Sequence, residues 1–156
     1  PFPEDYELWL RWMAHGVAAA KVDAELVTWN DPPDRLSRTD ERYHVDAFYQ
    51  TKAEYLLQWL RARNPHHPDV VVWGAGRVTR KRVEILKKLG LRVTAYIDLK
   101  ERSLDCGTPV LHHNDLPAAG SCFVLSMVAN RGARGKIRRF LNQRGYKEGE
   151  NCVFAA

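Results

Sequence analysis

The residues best suited to chemistry are Gly74, Gly76 and Arg77, set in the run VVVWGAGRVTRKR between Val70 and Arg82. An anion site of the strand-turn-helix kind needs a buried strand, a backbone with no side chain in the way, and a helix whose first amides point at the anion. Val70 to Trp73 supply the strand, and the two glycines supply the turn and the close approach because neither carries a Cβ. The third glycine of the dinucleotide fingerprint is replaced by Thr79. That change predicts looser packing of the helix on its strand and speaks against a standard NAD site. Asp98, at the end of the next apolar run, stands near the offset from which such folds bind a ribose hydroxyl. Further along, Asn130, Arg131 and Arg134 surround a second helix start, where free amides and guanidinium groups can meet an anion. Near the beginning, Glu4 and Asp5 form an acidic pair, and Arg35 and Arg38 have the planar cations that match phosphate. Each has a plainer reading as well: Asp98 a solvated strand end, the arginines exposed surface, the acids ordinary helix N-terminal charges.

Positioning these groups requires alternating strands and helices. The pattern predicts a strand at 70–73, a helix over about 77–89 stopped by Gly90, and a strand at 92–97. A short strand near 109–111 follows, then a strand at 122–128, a helix over about 132–144 stopped by Gly145, and a last strand at 152–155. Right-handed crossovers make this an α/β, Rossmann-like parallel sheet in the order 3-2-1-4-5. The ligand crevice is expected where the order reverses, between strands 1 and 4, with Ser126, Ala129, Asn130 and Arg131 facing the glycine loop.

Before that domain the chain reads as mainly helical. Tyr6, Trp9, Leu10, Trp12 and Met13 fall at helical spacing, with acids in the first turn and Gly16 as a stop; so many aromatics imply a substantial partner surface. Alternation from Asp23 to Trp29 predicts a short strand, broken by Asp31-Pro32-Pro33-Asp34. Ser37, Thr39 or Asp40 then caps a helix from Glu41 to Arg63 with Tyr43, Ala47, Phe48, Tyr55, Leu56, Trp59 and Leu60 along one broad face. Pro65-His66-His67-Pro68 ends it and is expected to be a linker with solvated histidines, dividing residues 1–64 from residues 65–156.

The 156 residues, 45% of them hydrophobic, suffice for one good core and part of another. No apolar run is long enough to span a membrane and no signal-peptide pattern is present. The net charge of +5 is unevenly placed: residues 1–68 carry 8 Lys and Arg against 11 Asp and Glu, residues 69–156 carry 16 against 8. The basic half suits an anionic ligand or an acidic membrane surface. Without aromatic-basic interleaving it is not read as binding nucleic acid. Cys106, Cys122 and Cys152 are odd in number and far apart, which argues against a disulfide framework and points to a cytoplasmic setting. No metal site is read from the sequence, since His66 and His67 would need further ligands. Opening on Pro1, the chain is expected to be part of something longer.

Two stretches carry a resemblance. Glu4-Asp5-Tyr6-Glu7-Leu8-Trp9-Leu10-Arg11, followed by Leu26-Val27-Thr28-Trp29 and Arg35-Leu36-Ser37-Arg38, resembles the end of the catalytic domain of inverting family-2 glycosyltransferases of the GT-A fold. The resemblance covers roughly the first 50 residues. It implies that Asp5, beside Glu4, is the general base that takes the acceptor hydroxyl's proton during attack on a nucleotide-sugar donor, with Arg35 and Arg38 near the donor diphosphate. It further implies a divalent metal in the parent enzyme, a glycan or lipid-linked acceptor, a role in glycan biosynthesis, and work at the inner face of the membrane. Such enzymes hold donor and metal on a D-x-D motif, and no D-x-D occurs in this chain. The chain alone is therefore expected to need no cofactor and to transfer no sugar. VVVWGAGRVTRKRVEILKKLGLRVTAYID, continuing through Gly107-Thr108-Pro109-Val110, is similar to the Rossmann-like domain that precedes the β-helix of bacterial sugar O- and N-acyltransferases, some of which bind a UDP-sugar there. Three readings stay open: the tail of a glycosyltransferase, an accessory module that binds a nucleotide or nucleotide-sugar, and a module for homo-oligomerisation or peripheral membrane docking.

Overall fold

The computed structural model describes residues 2–100 and 107–156; Cys106 lies outside the described residues. The chain forms two compact units, Pro1–Tyr55 and Leu56–Ala156.

The first unit opens with α1 (Glu4–Ala14), whose first turn holds Glu4, Asp5 and Glu7, the charges a helix dipole favours at that end. Its contacts are few and polar-edged. The Tyr6 ring tilts against Phe48 at 5.1 Å between centroids, and the Tyr55 hydroxyl donates to Glu7. No residue of α1 is buried, and Trp9, Trp12 and Met13 remain exposed. The strand expected over residues 23–29 does not form. Residues 11–34 are exposed throughout, Val27 at 79%, because a single extended segment with no neighbouring strand has nothing to satisfy its ladder. After α2 (Leu36–Thr39), the helix expected from Glu41 begins later. The Asp40 carboxylate accepts from the Arg42 amide at 2.8 Å and from its guanidinium, closing a 3-10 turn over Glu41–Tyr43. His44 is extended, and α3 runs Val45–Arg63.

The boundary between units falls within α3, and its last two turns belong to the second unit. There Leu57 and Leu60 are buried, and Trp59 meets Phe123 edge to face at 6.2 Å. The expected linker at residues 65–68 is instead part of this unit. The buried Asn64 amide donates to the Asp69 carbonyl at 2.8 Å, its side-chain oxygen accepts from the His66 amide, and the His66 ring donates to the Gly120 carbonyl at 2.9 Å. Two prolines stiffen the turn while these bonds hold it against the sheet.

The sheet is five-stranded and wholly parallel in the order β3-β2-β1-β4-β5, as the crossover argument requires. Its strands are β1 (Asp69–Trp73), β2 (Arg92–Asp98), β3 (Val110–His112), β4 (Val124–Ser126) and β5 (Cys152–Phe154). Central β1 is buried on both faces from Val70 to Trp73, which is why it reads as a continuous apolar run. Two longer helices follow strands: α4 (Arg77–Lys88) after β1, α5 (Ala133–Gln143) after β4. On the α5 face, Val71, Trp73, Ile97, Val124, Ile137 and Leu141 form one apolar cluster. Tyr146 anchors the chain that returns from β3, its buried hydroxyl donating to the Pro117 carbonyl at 3.0 Å. No helix among the described residues is long and apolar enough to cross a membrane.

Candidate functional site

At the carboxyl ends of β1, β2 and β4 the second unit holds a cavity of about 620 Å³. One wall is the glycine loop. Gly74 turns the chain out of β1 at φ +107°, its amide donating to the Ile97 carbonyl at 2.8 Å. A Cβ at Gly74 would stand 2.8 Å from Val128 Cγ2 and 3.0 Å from Thr79 Oγ1, so the loop is seated tightly on its neighbours. Gly76 is the N-cap of α4, has no side-chain cap bond, and faces open space where a Cβ would be. The two glycines thus do different work: the first lets the turn close, and the second leaves the helix start uncovered.

Asp98 ends β2 beside that loop. Its carboxylate accepts from the Ala75 amide at 3.2 Å and from the Lys100 amide at 3.3 Å. The acid expected at a ribose therefore fastens the loop to the sheet while still lining the cavity. Thr79 corrects a second expectation. Rather than loosening the helix, it is 7% exposed, and its hydroxyl donates to the Met127 carbonyl at 3.4 Å. The side chain occupies space that a third glycine would leave empty. Restoring the fingerprint with Thr79→Gly should accordingly lower stability by about 2 kcal/mol, from lost burial and helix propensity. Urea melts would check this; a stabilised variant would contradict the packing argument.

The opposite wall comes from α5. Ala133, Lys136, Ile137 and Phe140 line the cavity together. Their spacing of i, i+3, i+4 and i+7 is a single helix face, a periodicity already present in the sequence. Phe140 meets Trp73 at 5.4 Å and His113 at 5.2 Å between ring centroids, giving an aromatic corner. The pKa of His113 is lowered, chiefly by burial and then by nearby His112 and Arg144, which favours its neutral form. Asn130 lines the cavity beneath the loop, but Arg131 does not. Arg134 is turned away, with its guanidinium 3.3 Å from Glu148 and over the Phe154 ring. Ser126, expected across the crevice, is a buried strand residue in register with Trp73 and Phe154 and does not line it.

Gly74, Gly76, Arg77, Asp98 and Asn130 are thus brought together, with Lys136 and the aromatic corner added and Arg131 left outside. In the first unit Glu4 and Asp5 lie side by side, both exposed, on the first turn of α1. Glu4 accepts from the Tyr43 hydroxyl at 3.1 Å; its own backbone amide and then that hydroxyl hold its carboxyl below the usual range. Arg35 and Arg38 converge on Asp31, and Arg35 also covers the Trp29 ring at 4.2 Å.

The two described cysteines, Cys122 and Cys152, offer no nucleophile. Burial pushes the Cys152 thiol up to about 11 and raises Cys122 as well, so both are protonated at neutral pH. Among the described residues no group of three or more His, Cys, Asp or Glu could hold a metal ion. Comparison of the chain with protein families, with curated proteins and with solved structures gives no match.

Proposed function

We propose that the second unit is a binding module for a nucleotide or nucleotide-sugar, without chemistry of its own. The observation that carries this reading is the cavity at the carboxyl edge of a parallel sheet, with an uncapped helix start and the glycine loop on one side and an aromatic corner on the other. Ligands of doubly wound folds bind outside the carboxyl ends of the strands. A cavity of this size suits a small molecule that is largely enclosed. Binding rather than catalysis is favoured by the described lining groups, since the Thr79 hydroxyl is committed to a carbonyl and, among the described residues, no serine or thiol reaches the cavity.

On the resemblance, the longer protein would be a family-2 glycosyltransferase, with Asp5 as base and this module as its accessory domain. The exposed carboxylate of Asp5 on the first turn of α1 is in keeping with that role, because an acceptor hydroxyl must reach it. Nucleotide-sugar donor, acceptor and divalent metal belong to that parent.

The module reading is tested by titrating the chain with UDP-sugars, NAD, NADP and S-adenosylmethionine while following backbone amide resonances. Binding should shift Gly74 and Gly76 with at least one of these ligands and leave Arg131, outside the cavity, with the smaller change. Silence at both glycines with all four ligands would defeat it.

A further inference from the structure

We propose that Arg77 and Lys136 form a two-cation clamp on the diphosphate of a nucleoside diphosphate or its sugar derivative, with the base seated toward the Trp73–Phe140 corner. The proposal rests on the nucleotide reading above and specifies charge, orientation and residues.

Charge selects the two cations. Several basic residues stand near the ends of α4 and α5, but most of those with a described partner are committed elsewhere. Arg134 and Arg138 share Glu148, at 3.3 and 2.8 Å, and Arg144 reaches the Asn114 carbonyl. Among the described lysines and arginines, Arg77 and Lys136 alone line the cavity, and among the described residues neither has an ion-pair partner. They come from different helices, Arg77 opening α4 and Lys136 on the cavity face of α5. The one acid on the lining among the described residues, Asp98, accepts from the Ala75 and Lys100 amides. A nucleoside monophosphate concentrates its charge on one phosphorus, whereas a diphosphate presents a separate anionic phosphate to each of two cations carried on different helices, each contact a charge-assisted hydrogen bond.

Shape and polarity select the rest of the ligand. Much of the remaining lining is apolar, from Ile97, Val128 and Ile137 to the rings of Trp73 and Phe140. A planar heterocycle fits there: its faces bury against aliphatic and aromatic carbon, and its polar edge can meet Asn130 or neutral His113. Inorganic pyrophosphate would fill the clamp and leave that apolar part unused.

Calorimetric titration of the full chain with UDP, ADP, UMP, uridine and inorganic pyrophosphate tests the proposal, with Lys136→Ala, Arg77→Ala and, as control, Arg139→Ala. Arg139 is exposed on α5 and does not line the cavity. At least one nucleoside diphosphate should bind about tenfold tighter than UMP, uridine and pyrophosphate. Each clamp variant should weaken that diphosphate by about tenfold, the effect of losing one charged contact, with unchanged thermal unfolding. The control should bind as the parent does. Equal binding of diphosphate and monophosphate, or a diphosphate affinity indifferent to Lys136, overturns the clamp while the module reading survives. Pyrophosphate binding as tightly as any nucleotide overturns the assigned base seat. If no probe binds, the clamp falls; the module reading falls with it only when the amide titration is also silent.

Discussion

A chain beginning at Pro65 is expected to lose its cooperative unfolding transition, although the sequence places a domain start there and every strand of the sheet lies beyond it. The reason is the end of α3. Leu56, Leu57 and Leu60, which belong to the second unit, are 9%, 6% and 0% exposed, and Trp59 packs edge to face on Phe123, itself fully buried. Burying one such aliphatic side chain is worth about 1.5–3 kcal/mol. Losing the leucines and Trp59 therefore removes an amount comparable with the whole net stability of a domain this size, roughly 5–15 kcal/mol. Asn64 would go too, and with it the bonds that hold the 65–68 turn. Near-ultraviolet circular dichroism during a thermal scan would show the loss. The comparison is a chain beginning at Val45, which keeps all of α3 and should melt cooperatively. A sharp melt of the shorter chain at the parent's temperature would show that α3 is dispensable and sink the argument.

The same helix shows what the sequence made legible and what it hid. Apolar positions in α3 mark a buried face, but periodicity alone does not say which body buries it, and here the answer changes at Tyr55/Leu56. The Pro-His-His-Pro run carries linker composition, yet composition is blind to the two Asn64 bonds and the His66–Gly120 bond. Sheet order was readable because handedness leaves few alternatives once the βα alternation is recognised. Gly145 was readable as a stop for the same kind of reason: it sits at φ +82°, and Tyr146 then donates back to the Leu141 carbonyl at 3.0 Å. Residues 23–29 were misread because alternation reports the capacity to pair and not the presence of a partner. At the cavity, the glycine loop declared itself through local chemistry. Lys136 did not, since its relevance depends on the orientation of α5, which turns Arg134 and Arg138 toward Glu148 and presents Ala133, Lys136, Ile137 and Phe140 to the cavity.

Gly74→Ala is expected to lower the stability of the second unit by about 2–4 kcal/mol, two causes adding in one position. The backbone there sits at φ +107°, where an L side chain meets its own carbonyl, and the new Cβ would stand 2.8 Å from Val128 Cγ2 and 3.0 Å from Thr79 Oγ1. Thr79 is held in α4 and bonded to the Met127 carbonyl, and Val128 lies two residues beyond the end of β4. Ligand binding should fall with stability, because Thr79 and Val128 both line the cavity. The two causes can be separated. Val128→Ala in the same chain removes the nearest clash without touching the backbone angle, so the double variant should recover part of the loss, on the order of 1 kcal/mol of coupling in a double-mutant cycle. What remains after that recovery measures the cost of the left-handed turn itself. Urea titrations of the four proteins would decide it: strict additivity would remove the steric cause, and full recovery would remove the conformational one. Gly76→Ala provides the contrast within the same loop. Its φ of −65° suits any residue and its Cβ position is empty, so stability should change little. A methyl there would instead narrow the approach to the first amides of α4, and any loss should appear in affinity alone.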